Sequence, residues 1–232
     1  MPAPARDWIA QLPRHRLLAE YLMWSADLIR LADDLARITP HADILHVDVA
    51  DGHFAPALLF FADLVARLRA GTALPIHVHL MVADAVLLAQ IDQFAETGAD
   101  LISLHAENGN ASEGLDRIAA HGCAAGMVLR VETPVAMAQP WLGRLDMLTL
   151  LGTAIGVKGQ GLDPTATARL QEAAGYIAET GRQIVPAVDG GIRDTTVPLL
   201  CSAGAETVVM GSLAFGAPDL AARMAWMHTL PV

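Results

Sequence analysis

Short apolar runs and longer helix-like segments alternate along the chain. Eight runs read as strands, at 17–24, 44–49, 76–81, 101–104, 125–129, 147–151, 184–188 and 207–210. Between and after them the three-to-four residue spacing of apolar positions predicts helices over 27–38, 62–70, 83–97, 113–121, 134–142, 164–180, 194–203 and 213–227. Gly98, Gly122, Gly181 and Gly204 fall just past helical segments, where a left-handed terminating residue is expected. No linker or change of composition divides the chain, so eight βα units imply one (β/α)₈ TIM barrel over residues 1–232 in preference to a doubly wound sheet.

Composition agrees with that architecture. A chain of 232 residues with 53% hydrophobic and 17% charged content can bury a substantial core, and disorder is not expected. A formal charge of −10 argues against nucleic acid as a partner, because phosphate backbones are held by clustered Lys and Arg. Small molecules are the expected partners. The first twenty residues carry Arg6, Asp7, Arg14, Arg16 and Glu20 without the unbroken apolar core of a secretory signal. No run approaches the roughly 20 apolar residues of a membrane-spanning helix, so no membrane role is expected. Cys123 and Cys201 are too few for a disulfide framework and belong to no C-x-x-C pair, which makes a reducing cytoplasm the simplest setting.

In a parallel barrel, chemistry sits at the carboxyl ends of the strands, and that is where the candidate residues fall. His46 and Asp48 are two apart on one strand and share a face; His77, His79 and Met81 share a face of the next; Asp189 ends the seventh run. If His46, Asp48, His79 and Asp189 converge, two neutral imidazoles and two carboxylates would hold one divalent cation suited to proton abstraction next to a carbonyl. Zinc, iron, manganese and cobalt are all compatible with these donors. Taken singly each residue has a plainer reading, since an H-x-D pair is commonly local hydrogen bonding. His77, one layer deeper, is read as a hydrogen-bonded interior residue; His53 and His105 are expected near the pocket; His15, His41, His121 and His228 are expected at the surface. Gly190–Gly191 and Gly211–Ser212 follow the last two strands, where backbone N–H groups can receive a phosphate. The loop after the sixth strand adds Gly156, Gly159 and Lys158, the last equally readable as a charge partner for phosphate or a solvated loop lysine.

Taken together, HVDVADGHFAP (46–56), HLMV (79–82), VDGGI (188–192) and MGSLAF (210–215), with SADL (25–28) and GADLISLHAE (98–107), resemble the ribulose-phosphate 3-epimerase family. The resemblance spans most of the chain. It implies a metal-dependent barrel interconverting D-ribulose 5-phosphate and D-xylulose 5-phosphate. Carried over by motif, His46, Asp48, His79 and Asp189 would be the metal ligands, with Asp48 and Asp189 the catalytic acid–base pair and Met81 on the pocket floor. The family's habits also favour a homo-oligomer. The chain departs from the family where Ile155 and Lys158 replace a proline and a glycine, Leu22 replaces a serine, and Ala50 and Leu151 replace methionines. Ala57 and Leu59 replace polar residues, and Arg130 and Glu132 make the fifth loop more charged. These changes imply retained chemistry in a reshaped pocket, so another tetrulose, pentulose or hexulose phosphate competes as substrate. A related sugar-phosphate decarboxylase is disfavoured by the absence of an Asp-x-Lys-x-x-Asp motif. A non-catalytic binding barrel is disfavoured by four intact ligand positions.

Overall fold

The computed structural model describes residue 4 and residues 7–230. Arg6 and the ends of the expected 1–232 domain lie outside the described residues. Eight parallel strands close into one barrel in sequence order: β1 (Leu18–Leu22), β2 (Ile44–Ala50), β3 (Ile76–Met81), β4 (Leu101–His105), β5 (Ala124–Leu129), β6 (Met147–Leu151), β7 (Val185–Asp189) and β8 (Thr207–Met210). β8 pairs with β1 and closes it. The single-domain (β/α)₈ reading holds.

Alternation along the strands sorts the side chains into two compartments. Outward residues such as Val47, Val49, Val78, Leu80, Ile102 and Leu104 join the large apolar cluster beneath the helices. Inward residues form layers. At the amino-terminal end Ile44, Leu101, Met147, Val185 and Ala187 pack together under Trp8, on a 3₁₀ turn that plugs the barrel. The layer above is polar, with Glu20, His46, His77, Ser103 and Thr207 all buried. Burying polar groups in a barrel centre requires hydrogen-bond partners for each, and the spacing of this layer supplies most of them.

Around the barrel run α1 (Leu31–Ile38), α2 (Ala62–Gly71), α3 (Asp84–Glu96), α4 (Ala111–His121), α5 (Ala166–Thr180), α6 (Val197–Ser202), α7 (Ser212–Phe215) and α8 (Leu220–Met227). Gly122 and Gly181 end α4 and α5 in the left-handed conformation, as their positions predict. Four expectations are corrected. The first strand stops at Leu22 and continues as a 3₁₀ turn over Met23–Ser25. The helix expected over 27–38 starts at Leu31, because Asp27 accepts the Ile29 N–H in a turn of its own. The segment after β5 is a 3₁₀ helix, Val135–Arg144, with Pro140 inside it. Proline has no N–H to donate and its ring crowds the carbonyl four residues back, which interrupts α-helical bonding here. The helix expected over 213–227 is two helices, broken around Pro218, and the Asp219 carboxylate caps the second by accepting from Ala222 N at 2.9 Å. No helix among the described residues is long and apolar enough to cross a membrane.

Gly126 on β5 is where the inner polar layer is tightest. A Cβ there would fall on the Ser103 hydroxyl and 3.3 Å from Ser103 Cα. Gly126→Ala is therefore expected to destabilise the barrel by about 1–3 kcal/mol, the usual range for overpacking. A urea unfolding midpoint equal to that of the parent chain would contradict the assigned packing.

Candidate active site

The register of β2 against β3 places Asp48 opposite His79 and His46 opposite His77. With period-two alternation, all four point into the barrel. Asp189 arrives from the end of β7, aligned with Leu151 on one side and Val209 on the other. His46, Asp48, His79 and Asp189 each offer a ligand atom within 4.8 Å of the other three. His46 Nε2 lies 3.2 Å and His79 Nδ1 3.0 Å from Asp48 Oδ1, and His79 Nδ1 is 3.9 Å from Asp189 Oδ2.

The second ring nitrogens show how the rings are held. His79 Nε2 is 2.9 Å from His105 Nε2, and His105 Nδ1 is 3.0 Å from Glu107 Oε2. Burial lowers His105 to about 4, so its ring is neutral at pH 7. Burial alone would raise the Glu107 carboxyl, but hydrogen bonds from His105, Thr133 and the Arg130 N–H outweigh it and hold Glu107 down at about 2. An ionised carboxylate only accepts, so His105 Nδ1–H donates to Glu107 and His105 Nε2 is left as an acceptor. His79 must then donate through Nε2, and its Nδ1 lone pair faces Asp48. His46 points Nε2 at the same oxygen, while its Nδ1 lies 2.9 Å from Glu20 Oε2.

Two imidazole nitrogens and the oxygens of two carboxylates thus converge at one point. Burial would raise Asp48, but the two imidazoles beside it, His46 first and then His79, outweigh it and pull the carboxyl down. Asp189 is pushed up by burial and by the neighbouring Asp48 charge. Burial would lower His46, yet Asp48 and Glu20 draw it well above its ordinary value. The raised Asp189 and His46 both report excess negative charge at this point, and two imidazoles with two carboxylates suit a divalent cation.

Above the quartet opens a cavity of about 330 Å³, lined by Asp48, Asp189 and all eight residues singled out for substrate and phosphate: Met81, Gly156, Lys158, Gly159, Gly190, Gly191, Gly211 and Ser212. Lys158 bridges to the β1 side, its Nζ donating to Trp24 O at 2.6 Å and sitting 4.3 Å from the indole centroid. Leu22, Leu151 and Ile155 also line the cavity, whereas Ala50 packs beneath it with Met81 and Ala55. His77 is an interior residue, as expected, its Nε2 2.7 Å from Ser103 Oγ. Two pocket expectations are corrected: His53 is exposed and does not line the cavity, and His105 is fully buried behind His79. His15, His121 and His228 are exposed and His41 half-buried. Sequence reasoning missed Glu20, Glu107 and Arg193. Glu20 and Glu107 had one usable signal, an acidic residue on or just after a barrel strand; Arg193, at the cavity edge, had none.

The model of the ribulose-phosphate 3 epimerase family matches residues 19–215. Ribulose-phosphate 3-epimerase 1 of Cupriavidus necator is 36% identical over 204 residues, covering 84% of this chain and 83% of that protein. Ribulose-phosphate 3-epimerase of Escherichia coli K12 is 36% identical over 201 residues, covering 84% and 87%. The Bacillus subtilis protein of that name is 33% identical over 198 residues, covering 84% and 90%. Among solved structures, a 3-hexulose-6-phosphate synthase superposes with a TM-score of 0.66 at 18% identity, covering 93% of this chain and all of that one. An orotidine 5′-phosphate decarboxylase from Pyrococcus horikoshii gives 0.65 at 13%, covering 91% and 97%. These two likenesses concern the fold alone.

The Glu107 network carries a pH signature. A carboxyl held at about 2 against an ordinary 4.5 contributes stability above pH 4.5, and that contribution is lost as pH falls towards 2. Glu107→Gln is expected to be less stable at pH 7, and its deficit to shrink between pH 4.5 and 2. Thermal melts of both proteins across that window check it; a constant difference would contradict the assigned hydrogen bonds.

Proposed function

This chain belongs to the ribulose-phosphate 3-epimerase family, and from that premise we propose that it epimerises a ketose phosphate at C3 through an enediolate, with D-ribulose 5-phosphate and D-xylulose 5-phosphate as the pair interconverted. The chain is an isomerase. In this reading His46, Asp48, His79 and Asp189 hold one divalent ion, zinc first and iron, manganese or cobalt as alternatives. The observation that carries it is the meeting of two carboxylates, Asp48 from β2 and Asp189 from β7, at one cavity.

Inverting C3 requires a proton to leave one face and another to arrive on the opposite face, which two separate acid–base groups accomplish better than one. Asp48 accepts the C3 proton and Asp189 returns one to the other face; in the reverse direction they exchange roles. A divalent cation bound there would supply positive charge opposite the enediolate oxygens. His46 and His79 contribute ligand atoms without adding negative charge. Gly190, Gly191, Gly211 and Ser212 receive the phosphate through backbone N–H groups, with Gly156, Lys158 and Gly159 closing over it and Met81 beneath the sugar. Gly191 suits that role: its φ is +71°, and a Cβ would come within 2.6 Å of Leu162 Cα.

Apolar Leu22, Leu151 and Ile155 in the cavity lining support a second reading, in which the same centre acts on another tetrulose, pentulose or hexulose phosphate. In our reading the domain runs over 1–232 and the protein works in the cytoplasm, consistent with two free cysteines. Exposed Ile29, Leu58, Phe61 and Leu199 support a homo-oligomer.

The test is solvent deuterium incorporation at C3 across a panel of ketose phosphates. Ribulose 5-phosphate is expected to exchange fastest, without release of carbon dioxide. Asp48→Asn and Asp189→Asn are each expected to lower kcat about 10²–10⁴-fold while leaving the fold intact. Near-parent turnover in either variant would reject its role, and faster exchange with a tetrulose or hexulose phosphate would move the substrate assignment.

A further inference from the structure

Glu20 lies below the proposed centre and outside the set of residues assigned to it. It is fully buried at the middle of the barrel on β1. Its Oε2 is 2.9 Å from His46 Nδ1 and 2.7 Å from His77 Nδ1, and its Oε1 accepts from Thr207 Oγ1 at 3.3 Å. Among the described residues no Lys or Arg pairs with it; its only ion-pair partners are the two imidazoles. A buried carboxylate without a permanent counterion is unfavourable unless positive charge reaches it indirectly.

His46 is the route by which that charge arrives. A histidine ring inside a barrel can flip about its χ2 bond, and the flip decides which nitrogen faces the mouth. A carboxylate that only accepts selects the state in which Nδ1 carries the proton, which leaves Nε2 as a lone pair aimed at Asp48. His77 cannot take over that role. Its Nδ1 is committed to the same Glu20 oxygen, and its Nε2 accepts from Ser103 Oγ–H. Glu20, His46 and His77 also have ligand atoms mutually within 4.8 Å. A cation among them would compete for the oxygen that both Nδ1–H groups already use, and would require His46 to bridge two metals.

We propose that Glu20 is a positioning residue for the metal centre: by accepting from His46 Nδ1–H it fixes that ring with Nε2 toward the cation and raises its strength as a ligand. This rests on the reading of His46, Asp48, His79 and Asp189 as ligands. Outer carboxylates that orient a ligating imidazole contribute roughly 10–100-fold to metal affinity, so Glu20→Gln should weaken zinc binding by about that factor.

The experiment measures zinc affinity and stoichiometry by competition with a chromophoric chelator for the parent chain and Glu20→Gln. Long-range ¹H–¹⁵N spectra of the zinc-loaded parent chain then report the His46 tautomer. One zinc per chain, a 10–100-fold loss in the variant and a proton on His46 Nδ1 are the expected results. Unchanged affinity in a folded Glu20→Gln, or a proton on His46 Nε2, would overturn the inference while leaving the metal centre in place. Two zinc ions per chain would overturn it in favour of a Glu20–His46–His77 cation site. No zinc bound by the parent chain would overturn the centre itself and the role of Glu20 with it. Should Glu20→Gln fail to fold, the tautomer in the parent chain decides.

Discussion

Two imidazole nitrogens meet one carboxylate oxygen, Asp48 Oδ1, at 3.0 and 3.2 Å inside a barrel that admits almost no water to them. Charge so placed is expensive unless every partner is itself fixed. The interior above the apolar plug answers that constraint with two supports of different length. His46 leans directly on Glu20, whereas His79 leans on Glu107 through His105. β1 contributes Glu20 to this interior, β2 His46 and Asp48, β3 His77 and His79, and β4 Ser103 and His105, and the close backbone approach at Gly126 leaves room for Ser103.

Around that frame the pocket departs from a uniformly polar sugar site. Leu22, Leu151 and Ile155 add apolar surface to its lining, and two cation–π contacts join loops that follow different strands. Lys158 reaches from the β6 loop to Trp24, and the Arg130 guanidinium lies 4.1 Å from the Phe54 ring centroid while donating to Phe54 O. Both pairs tie a loop to the loop of a different strand. These contacts fasten the β1 loop to the β6 loop and the β2 loop to the β5 loop, at positions separate from the four residues at the centre.

Much of this was legible in the chain. Strand runs 76–81, 147–151 and 207–210 coincide with the observed elements, because an apolar run walled by polar turns has one way to bury both faces. The quartet was legible as well, since strand-end position and period two put His46 with Asp48, and His79 with Met81. The 3₁₀ helix at Val135–Arg144 and the break before Asp219 depended on how Pro140 and Pro218 act within otherwise helical spacing. His105 illustrates a deeper limit: the strand-end position was correct, but whether its ring entered the cavity depended on His79 already occupying that space.

Hydrophobic spacing, glycine positions and the H-x-D, H-L-M and D-G-G segments determined by themselves the barrel, the family and the four residues at its centre, because those features are local to single strands and their turns. The roles open to Glu20, His77, His105 and Glu107 were decided only by the tertiary structure. Their side chains could have been solvated, paired or ligating in any isolated strand. Closure of β1 against β8 and the register of β2 on β3 brought them within hydrogen-bond reach of one another, and burial then left each nitrogen with a single partner it could satisfy.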